Sequence, residues 1–407
     1  MADANLPPPP FMVPRAAVPP PPAPPAIPAP ALRAPVISAQ AHRSTEVPTE
    51  LPGELPGSLE AIVRLAHERG FSDVHLGVGE EPRYRDRGEI TRTGWPVTDT
   101  ATFRAWLAEM LSPAQVDSFR QEKELDSAHA FAFARVRINL METFRGPAMV
   151  LRLIPQTILG LEDLGAPAVF RDLAARPKGM ILITGPTGSG KSTTLAAIID
   201  WINRHMGRHI LTIEDPVEFV HQSHRSLVRH REVGEHTLEF HRALRAAMRE
   251  DPDVILIGEI RDRDTLATAI EASQTGHLVF GTLHTNSAIK TVERILGMFP
   301  AADQEAIRRA TAESLLAVIA QGLLRSTDGR RVAFHDIMVN TDACKDYILS
   351  GKLEDIEEIM ARSAFDGMQT ANQALLELVS SGRVRAEDAL AQSLKPNELA
   401  QALRGRT

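Results

Sequence analysis

One segment of the sequence has the residue types and spacing of a phosphate-binding loop. A glycine, four further residues and Gly-Lys-Ser follow the apolar run 180–184 and precede the helix-compatible run 193–201. In such a loop the backbone N–H groups and the helix N-terminus face the phosphates, the lysine reaches the β- and γ-phosphates, and the hydroxyl binds Mg²⁺. The pattern predicts a site for ATP and Mg²⁺ formed by Gly185, Pro186, Thr187, Gly188, Ser189, Gly190, Lys191, Ser192 and Thr193.

Two acidic segments could complete a hydrolytic site. Hydrolysis needs a carboxylate to hold the hydrated Mg²⁺ and another to take a proton from the attacking water. The apolar run 254–257 leads through a glycine to Glu259, which predicts a Walker B acid, although many P-loop enzymes have aspartate there. The run 210–213 is followed by Glu214, Asp215 and Glu218. The alternative for each segment is a set of solvated loop charges.

Histidines are candidates for metal binding and for phosphate sensing. Seven lie between residues 205 and 241. A zinc site is disfavoured there because the sequence has no His-Glu-x-x-His pattern and no nearby cysteine. His277 and His284 bracket the apolar run 278–283, and either could contact a γ-phosphate, with a purely structural role as the alternative.

The elements that must position these residues follow from the apolar pattern. Short runs that are apolar on successive positions alternate with helical stretches beyond residue 178, which is typical of a parallel sheet covered by helices. The fold class is therefore α/β, with a preceding α+β region and a helical end that includes amphipathic stretches at Ser314–Leu324 and Ala371–Leu378. The predicted divisions are a disordered Pro/Ala-rich tail at 1–57, an N-terminal domain at 58–160, an ATPase core at 161–290 and a helical C-terminal subdomain at 291–407.

Composition limits the function classes. The 407-residue chain has one cysteine, Cys344, so no intrachain disulfide can form, and a reducing compartment is expected. No apolar run reaches the 18 residues of a membrane span, so we expect no transmembrane segment. The formal net charge of −7 disfavours a protein that coats nucleic acid.

Five ordered motifs resemble those of the type II/IV secretion ATPases, and most closely the pilus retraction ATPases of the PilT type. The resemblance runs from about Leu59 to Leu403. The motifs are Gly-Pro-Thr-Gly-Ser-Gly-Lys-Ser-Thr-Thr (185–194), Thr-Ile-Glu-Asp-Pro-Val-Glu-Phe (212–219), Arg-Glu-Asp-Pro-Asp (249–253), Gly-Glu-Ile-Arg-Asp (258–262) and Thr-Gly-His-Leu-Val-Phe-Gly-Thr-Leu-His-Thr (275–285).

The resemblance implies a PAS-like N-terminal domain joined to a RecA-like core, assembled as a ring of six with ATP at the subunit boundaries. It also implies residue roles: Lys191 binds phosphate, Glu218 is the general base, Glu259 acts on Mg²⁺ through water, and His284 reads the γ-phosphate. Arg137 and Arg152 occupy the places of arginines that complete a neighbouring site, where guanidinium charge stabilises the transition state. Ordinary strand arginines are the alternative.

The resemblance further implies a cytoplasmic motor that sits peripherally at the inner membrane, acts on a platform protein of a type IV pilus and drives retraction. Two alternatives stay open: a DotB-like ATPase of a type IV secretion apparatus, and a RecA-like DNA motor. One departure bears on the choice. Where retraction ATPases have an Ala-Ile-Arg-Asn-Leu-like helix, this chain has Ala-Cys-Lys-Asp-Tyr-Ile at 343–348.

Overall fold

The computed structural model describes residues 53–86, 89–154 and 157–405, all within one compact unit, Glu50–Thr407. The predicted disordered tail, residues 1–57, lies outside the described residues except for its last five positions. Among the described residues, no helix is long and apolar enough to cross a bilayer.

The first folded region is a six-stranded antiparallel sheet, in the order β3-β2-β1-β6-β5-β4, with three helices. Its strands are β1 (Asp73–Gly77), β2 (Arg83–Asp86), β3 (Glu89–Arg92), β4 (Glu124–Ala130), β5 (Arg135–Thr143) and β6 (Gly146–Ile154). Its helices are α1 (Leu59–Arg69), α2 (Thr100–Met110) and α3 (Pro113–Glu122).

Helix α1 forms because its sequence supplies a start, an apolar face and an end. The Ser58 side chain accepts a hydrogen bond from the N–H of Ala61, and Gly70 ends the helix with a φ of 72°. The side chains at 59, 62, 63 and 66 are buried against the sheet. This face joins the helix to the core of the N-terminal region.

The second region is a seven-stranded sheet in the order β13-β12-β7-β11-β10-β8-β9, parallel except for β13. Its strands are β7 (Gly179–Thr184), β8 (His209–Glu214), β9 (Leu227–Glu232), β10 (Val254–Ile257), β11 (Leu278–Leu283), β12 (Leu315–Arg325) and β13 (Arg331–Val339). Its helices are α4 (Val169–Ala174), α5 (Lys191–His205), α6 (Phe240–Ala247), α7 (Arg263–Gln274), α8 (Ala288–Gly297) and α9 (Gln304–Ser314).

Both faces of this sheet are covered. Every residue of β7, β10 and β11 is buried, with α4 and α5 packed on one face and α6, α7 and α8 on the other. Parallel strands buried on two faces need apolar side chains at successive positions, which is the pattern seen in the sequence. The α/β class is therefore confirmed.

The sequence-based assignment of Ser314–Leu324 as a helix was wrong. Helix α9 ends at Ser314, and β12 begins at the next residue, between β7 and β13. The run 315–320 is apolar at every position because both of its faces are covered, and periodicity alone does not separate such a strand from a buried helix. The sheet therefore continues beyond residue 290.

Within the described residues, five α-helices follow the sheet, α10 (Asp342–Ser350), α11 (Ile356–Arg362), α12 (Ala371–Ser380), α13 (Ala386–Gln392) and α14 (Pro396–Arg404). The prediction of a helix at 371–378 is confirmed by α12. Asp336 of β13 ties this part to the core, because its carboxylate accepts hydrogen bonds from the N–H groups of Ala288 and Ala371 at 2.8 and 3.0 Å. Burial nevertheless raises the pKa of Asp336 to about 6.

Candidate functional site

The phosphate-binding loop lies where β7 ends and α5 begins, at the carboxyl edge of the parallel strands. This is the edge at which open α/β sheets bind ligands. The motif requires glycine at two positions of the loop for steric and conformational reasons. A Cβ at Gly185 would lie 2.3 Å from the carbonyl oxygen of Gln321, and Gly190, the cap of α5, has a φ of 86°. The backbone can follow this path only without side chains at these positions.

Lys191, the first residue of α5, lies inside the loop. Its ammonium donates to the carbonyl oxygens of Gly185 and Pro186, at 2.9 and 3.2 Å. Burial lowers the pKa of Lys191, while the charges of Glu259 and Glu218 oppose that shift. The side chain is therefore a cation held among acids at the start of a helix, where phosphate oxygens are favoured.

A cleft of about 1260 Å³ opens at this edge, between the core and the N-terminal sheet. The predicted residues that line it are Arg137, Arg152, Thr187, Gly188, Gly190, Lys191, Ser192, Thr193, Glu214, Glu218, Glu259 and His284. Gly185, Pro186 and Ser189 belong to the loop but do not line the cleft. Residues separated by up to 147 positions in the chain thus meet at one site, which has room for a nucleotide.

Glu259 and His284 form the centre of the acidic side of the cleft. The His284 Nε2 lies 3.1 Å from Glu259 Oε1, and Arg261 donates to Glu259 Oε2 at 2.8 Å. Burial alone would raise the pKa of Glu259, but the hydrogen bond from Arg261 and the charges of Arg261, His284 and Lys191 hold that pKa below its ordinary value. Glu259 is therefore an ionised carboxylate next to the lysine.

Glu214 and Glu218 lie on the next segment of the same edge. Glu214 ends β8, with its Oε1 at 3.8 Å from His230 Nδ1, and Glu218 follows a turn that contains the cis Asp215–Pro216 bond. Both carboxylates face the cleft. Glu218 is half-buried, so it can meet a water molecule within the cleft.

Arg137 and Arg152 come from the N-terminal sheet and face the cleft of their own chain. Arg137 pairs with Asp126, and Arg152 donates to Asp73 at 2.8 Å. The hydrogen bond to Asp126, and after it the charges of Asp126, Glu218 and Asp215, raise the pKa of Arg137. A role for these arginines in a neighbouring subunit stays a prediction; within one chain they already lie beside the acids.

His277 is not at the site, and the expectation that it contacts nucleotide needs correction. It precedes β11, at the amino edge of the strands, whereas His284 follows the same strand at the carboxyl edge. Its Nδ1 lies 2.9 Å from the carbonyl oxygen of Ala272, and its own carbonyl accepts from the N–H of Gly179. These contacts make His277 a structural residue between α7 and β7.

The donor set at the cleft fits Mg²⁺ bound together with phosphates. No cluster of three or more His, Cys, Asp or Glu side chains that could hold a metal by itself occurs in the described parts of the chain. Mg²⁺ keeps several waters and usually takes one or two protein oxygens in addition to substrate phosphates. The hydroxyl of Ser192 and the carboxylate of Glu259, both on the cleft, are such oxygens.

Gln321 lines the cleft and forms hydrogen bonds with the phosphate loop and α5, and the sequence-based reasoning missed it. This buried residue of β12 donates from Nε2 to the Ser189 carbonyl at 2.6 Å and accepts at Oε1 from the Thr194 hydroxyl at 2.8 Å. His335 Nε2 lies 3.2 Å from the same Oε1, and burial lowers the pKa of this histidine to about 4. The lone polar side chain in an apolar run was the available signal.

We predict that Gln321→Leu will weaken both the fold and nucleotide binding. Leucine has a similar volume, but it leaves the Ser189 carbonyl and the Thr194 hydroxyl without partners. Buried groups left in that state cost about 1–3 kcal/mol each. Urea unfolding with and without Mg-ATP measures both effects. Gln401→Leu, at an exposed position of α14, is the matched control; equal behaviour of the two variants would contradict the supporting role.

Known proteins resemble this chain over most of its length. The family described as "Type II/IV secretion system protein" matches residues 58–399. The "Twitching motility protein" of Neisseria gonorrhoeae is 47% identical over 310 residues, which is 76% of this chain and 83% of that protein.

Two solved structures resemble the fold. The pilus retraction motor PilT with bound ADP superposes with a TM-score of 0.78 at 39% identity, covering 84% of this chain and 99% of that one. The ATPase DotB of Legionella pneumophila superposes with a TM-score of 0.70 at 25% identity, covering 82% and 96%. The N-terminal sheet and the nucleotide-binding core are therefore both features that this chain shares with known ATPases.

Proposed function

The chain belongs to the type II/IV secretion system protein family, and from that premise we propose that it is a hexameric ATPase motor that drives retraction of a type IV pilus. One observation carries the proposal: the phosphate loop, the Glu259 and His284 pair, Glu218 and Arg137 all meet at one cleft between two domains. Similarity to the twitching motility protein and to the retraction motor supports pilus retraction as the work that this ATPase performs.

Each residue has a distinct part in the proposed hydrolysis of ATP. Lys191 and the loop N–H groups bind the phosphates, and Glu218 takes the proton from the attacking water. Arg137 and Arg152 stabilise the negative charge of the transition state. His284 contacts both the γ-phosphate and Glu259, so the position of Glu259 depends on whether the γ-phosphate is present. Mg²⁺, held by Ser192 and by Glu259 through water, would neutralise phosphate charge.

We further propose the assembly and the place of action. Six copies form a ring in the cytoplasm, and the ring sits peripherally on the inner-membrane platform protein of the pilus machine. Because the cleft lies between the N-terminal sheet and the core, a change of the nucleotide there would alter the contact between the two regions. Nucleic acid is not an expected partner.

The segment that departs from the retraction ATPases still forms a helix. Cys344 and Ile348 are the buried residues of α10, and Lys345 pairs with Asp342 on its exposed side. The departing segment therefore includes a buried position, Cys344, as well as exposed positions of this helix. Retraction stays our first choice because of the similarity to the twitching motility protein and to the retraction motor.

A role in a type IV secretion apparatus is the second candidate, favoured by the similarity to DotB. That task would use the same catalytic residues and would differ in the partner. A RecA-like DNA motor is the third, and strong stimulation of ATP turnover by DNA would favour it.

Deleting the gene in the native bacterium tests the proposed task. If the chain drives retraction, cells without it should carry abundant surface pili and lose surface motility, as counted by electron microscopy and measured in a spreading assay. Complementation with the intact gene should restore motility. Unchanged pili together with a secretion or transfer defect would contradict retraction and select the secretion role.

A further inference from the structure

An ion pair outside the cleft joins the N-terminal sheet to the core. Arg135 of β5 donates from a terminal guanidinium nitrogen to Oε2 of Glu232, the last residue of β9, at 2.6 Å. The side chains are 21% and 6% exposed. Neither residue lines the cleft, so neither touches the nucleotide in the function proposed above.

The same carboxylate oxygen also holds the loop that carries the general base. Glu232 Oε2 accepts a second hydrogen bond, at 3.0 Å, from the backbone N–H of Val217. Val217 is buried and directly precedes Glu218. One oxygen atom therefore connects the docking of the N-terminal sheet to the position of Glu218.

The core side of this connection is fixed by the backbone. Glu232 is paired in register with Glu214 on β8, and its own N–H donates to His236 Nδ1 at 3.1 Å. The N–H of Val233 also donates to the Glu214 carbonyl at 2.9 Å. Glu232 thus has little freedom to move away from the loop.

The other side of the connection leads to an arginine of the cleft. Side chains two residues apart on a strand share a face, so Arg135 and Arg137 both point from β5 toward the core. Holding Arg135 at Glu232 sets the position of β5 and, with it, the place at which Arg137 faces Glu218. The Nε of Arg135 is buried and has no hydrogen-bond partner among the described residues. The guanidinium therefore does not use all of its donors when the N-terminal sheet is docked on the core, and separating the two regions loses fewer hydrogen bonds than a fully paired arginine would lose.

We propose that Arg135 and Glu232 form a positioning pair that brings Glu218 and Arg137 into facing positions only when the N-terminal sheet is docked on the core. The proposal rests on the proposed function and deepens it. It assigns no chemical step to either residue. It makes the hydrolysis rate, but not the binding of nucleotide, depend on the contact between the two regions.

The test is Glu232→Gln in the full chain, with kcat and KM for Mg-ATP measured from phosphate release. The amide keeps the shape but loses the charge that holds the guanidinium and the loop together. We expect kcat to fall by about tenfold or more, because small misplacements of catalytic groups have effects of that size. KM should change by less than about twofold, because the phosphate-binding contacts are intact.

A nearby carboxylate provides the matched control. Glu235 accepts a hydrogen bond from Gln115 of α3 at 3.1 Å, so it also joins the N-terminal region to the core. In the described structure the Val217 N–H donates to Glu232 and not to Glu235. Glu235→Ala should therefore leave kcat unchanged. An equal fall in kcat for Glu235→Ala would overturn the proposal, since any weakening of docking would then suffice.

Variants of the arginine test whether the two residues act as a pair. Arg135→Lys keeps the charge and should retain part of the rate, whereas Arg135→Met should behave like Glu232→Gln. The double variant Arg135→Met with Glu232→Gln should be no worse than either single variant, because they remove one shared interaction. Strictly additive losses would overturn the pairing.

Amide hydrogen exchange at residues 215–221 gives a readout that does not depend on turnover. Exchange there should rise in Glu232→Gln and stay unchanged in Glu235→Ala. A fully active Glu232→Gln protein with unchanged exchange would overturn the positioning pair and leave the proposed ATPase intact. If the unaltered chain hydrolyses no ATP, the proposed function fails, and the exchange result still decides whether Glu232 holds the loop.

Discussion

Lys191→Ala should abolish ATP hydrolysis and weaken nucleotide binding. The ammonium is the one cation inside the loop in the described structure, at 2.9 Å from the Gly185 carbonyl, and its charge lies beside Glu259 and Glu218. Removing it leaves the loop with backbone donors but no charged donor for the phosphates. We expect kcat to fall by about a thousandfold or more, because loss of one preorganised hydrogen-bond donor already costs about 10²–10³ in kcat.

Phosphate release at saturating Mg-ATP, together with a fluorescent-nucleotide titration, measures both parts of this effect. Lys178→Ala is the matched control, because Lys178 is exposed and precedes β7 at the opposite end of that strand from the loop. Turnover near the normal rate in Lys191→Ala would refute the phosphate-loop assignment.

Glu218→Gln should separate binding from hydrolysis. Glutamine keeps the size of the side chain but does not accept the proton of the attacking water. The rate should therefore fall by about 10²–10⁴, the contribution typical of a positioned base. Affinity for ATP should stay within about threefold of normal, because the phosphate-binding groups on α5 and its loop are untouched.

Single-turnover hydrolysis, combined with the same nucleotide titration, checks this prediction. Glu271→Gln, at an exposed position of α7, controls for the loss of one negative charge. Normal hydrolysis in Glu218→Gln would move the base to another carboxylate of the same segment that lines the cleft, with Glu214 as the first candidate and Asp215 as the second.

The parts of the site that could be predicted from sequence are those whose residues are consecutive in the chain or directly follow an apolar strand. The residues from Gly185 to Thr193 are consecutive, and their roles follow from backbone geometry at a strand end and a helix start. Glu259 and Glu218 could be placed because each follows an apolar strand, and all such strands end at one edge of a parallel sheet.

The same rule explains the error at His277. The run 278–283 is flanked by two histidines, but in a parallel sheet only the residue after the strand reaches the ligand edge. His284 follows the strand and meets Glu259, whereas His277 precedes it. Applying the strand direction to the sequence would have separated the two.

Other features depend on tertiary contacts that no local pattern reveals. Arg135 and Glu232 are 97 residues apart and meet only because two sheets pack together. Gln321 lies in a run that was interpreted as a helix, because β12 is apolar on both faces and so lacks the alternation typical of a half-buried strand. Its place beside the phosphate loop was therefore missed. In each of these cases burial by a distant element, rather than local propensity, determines the role of the side chain.

The most direct test of the account is to watch labelled pili on cells whose only ATPase of this family is this chain or its Glu218→Gln variant. Fluorescence microscopy would give the fraction of extended pili that retract. The account predicts frequent retraction with the unaltered chain, and extended pili that do not retract with the variant. Retraction at the same frequency with both would show that hydrolysis at this cleft does not drive it.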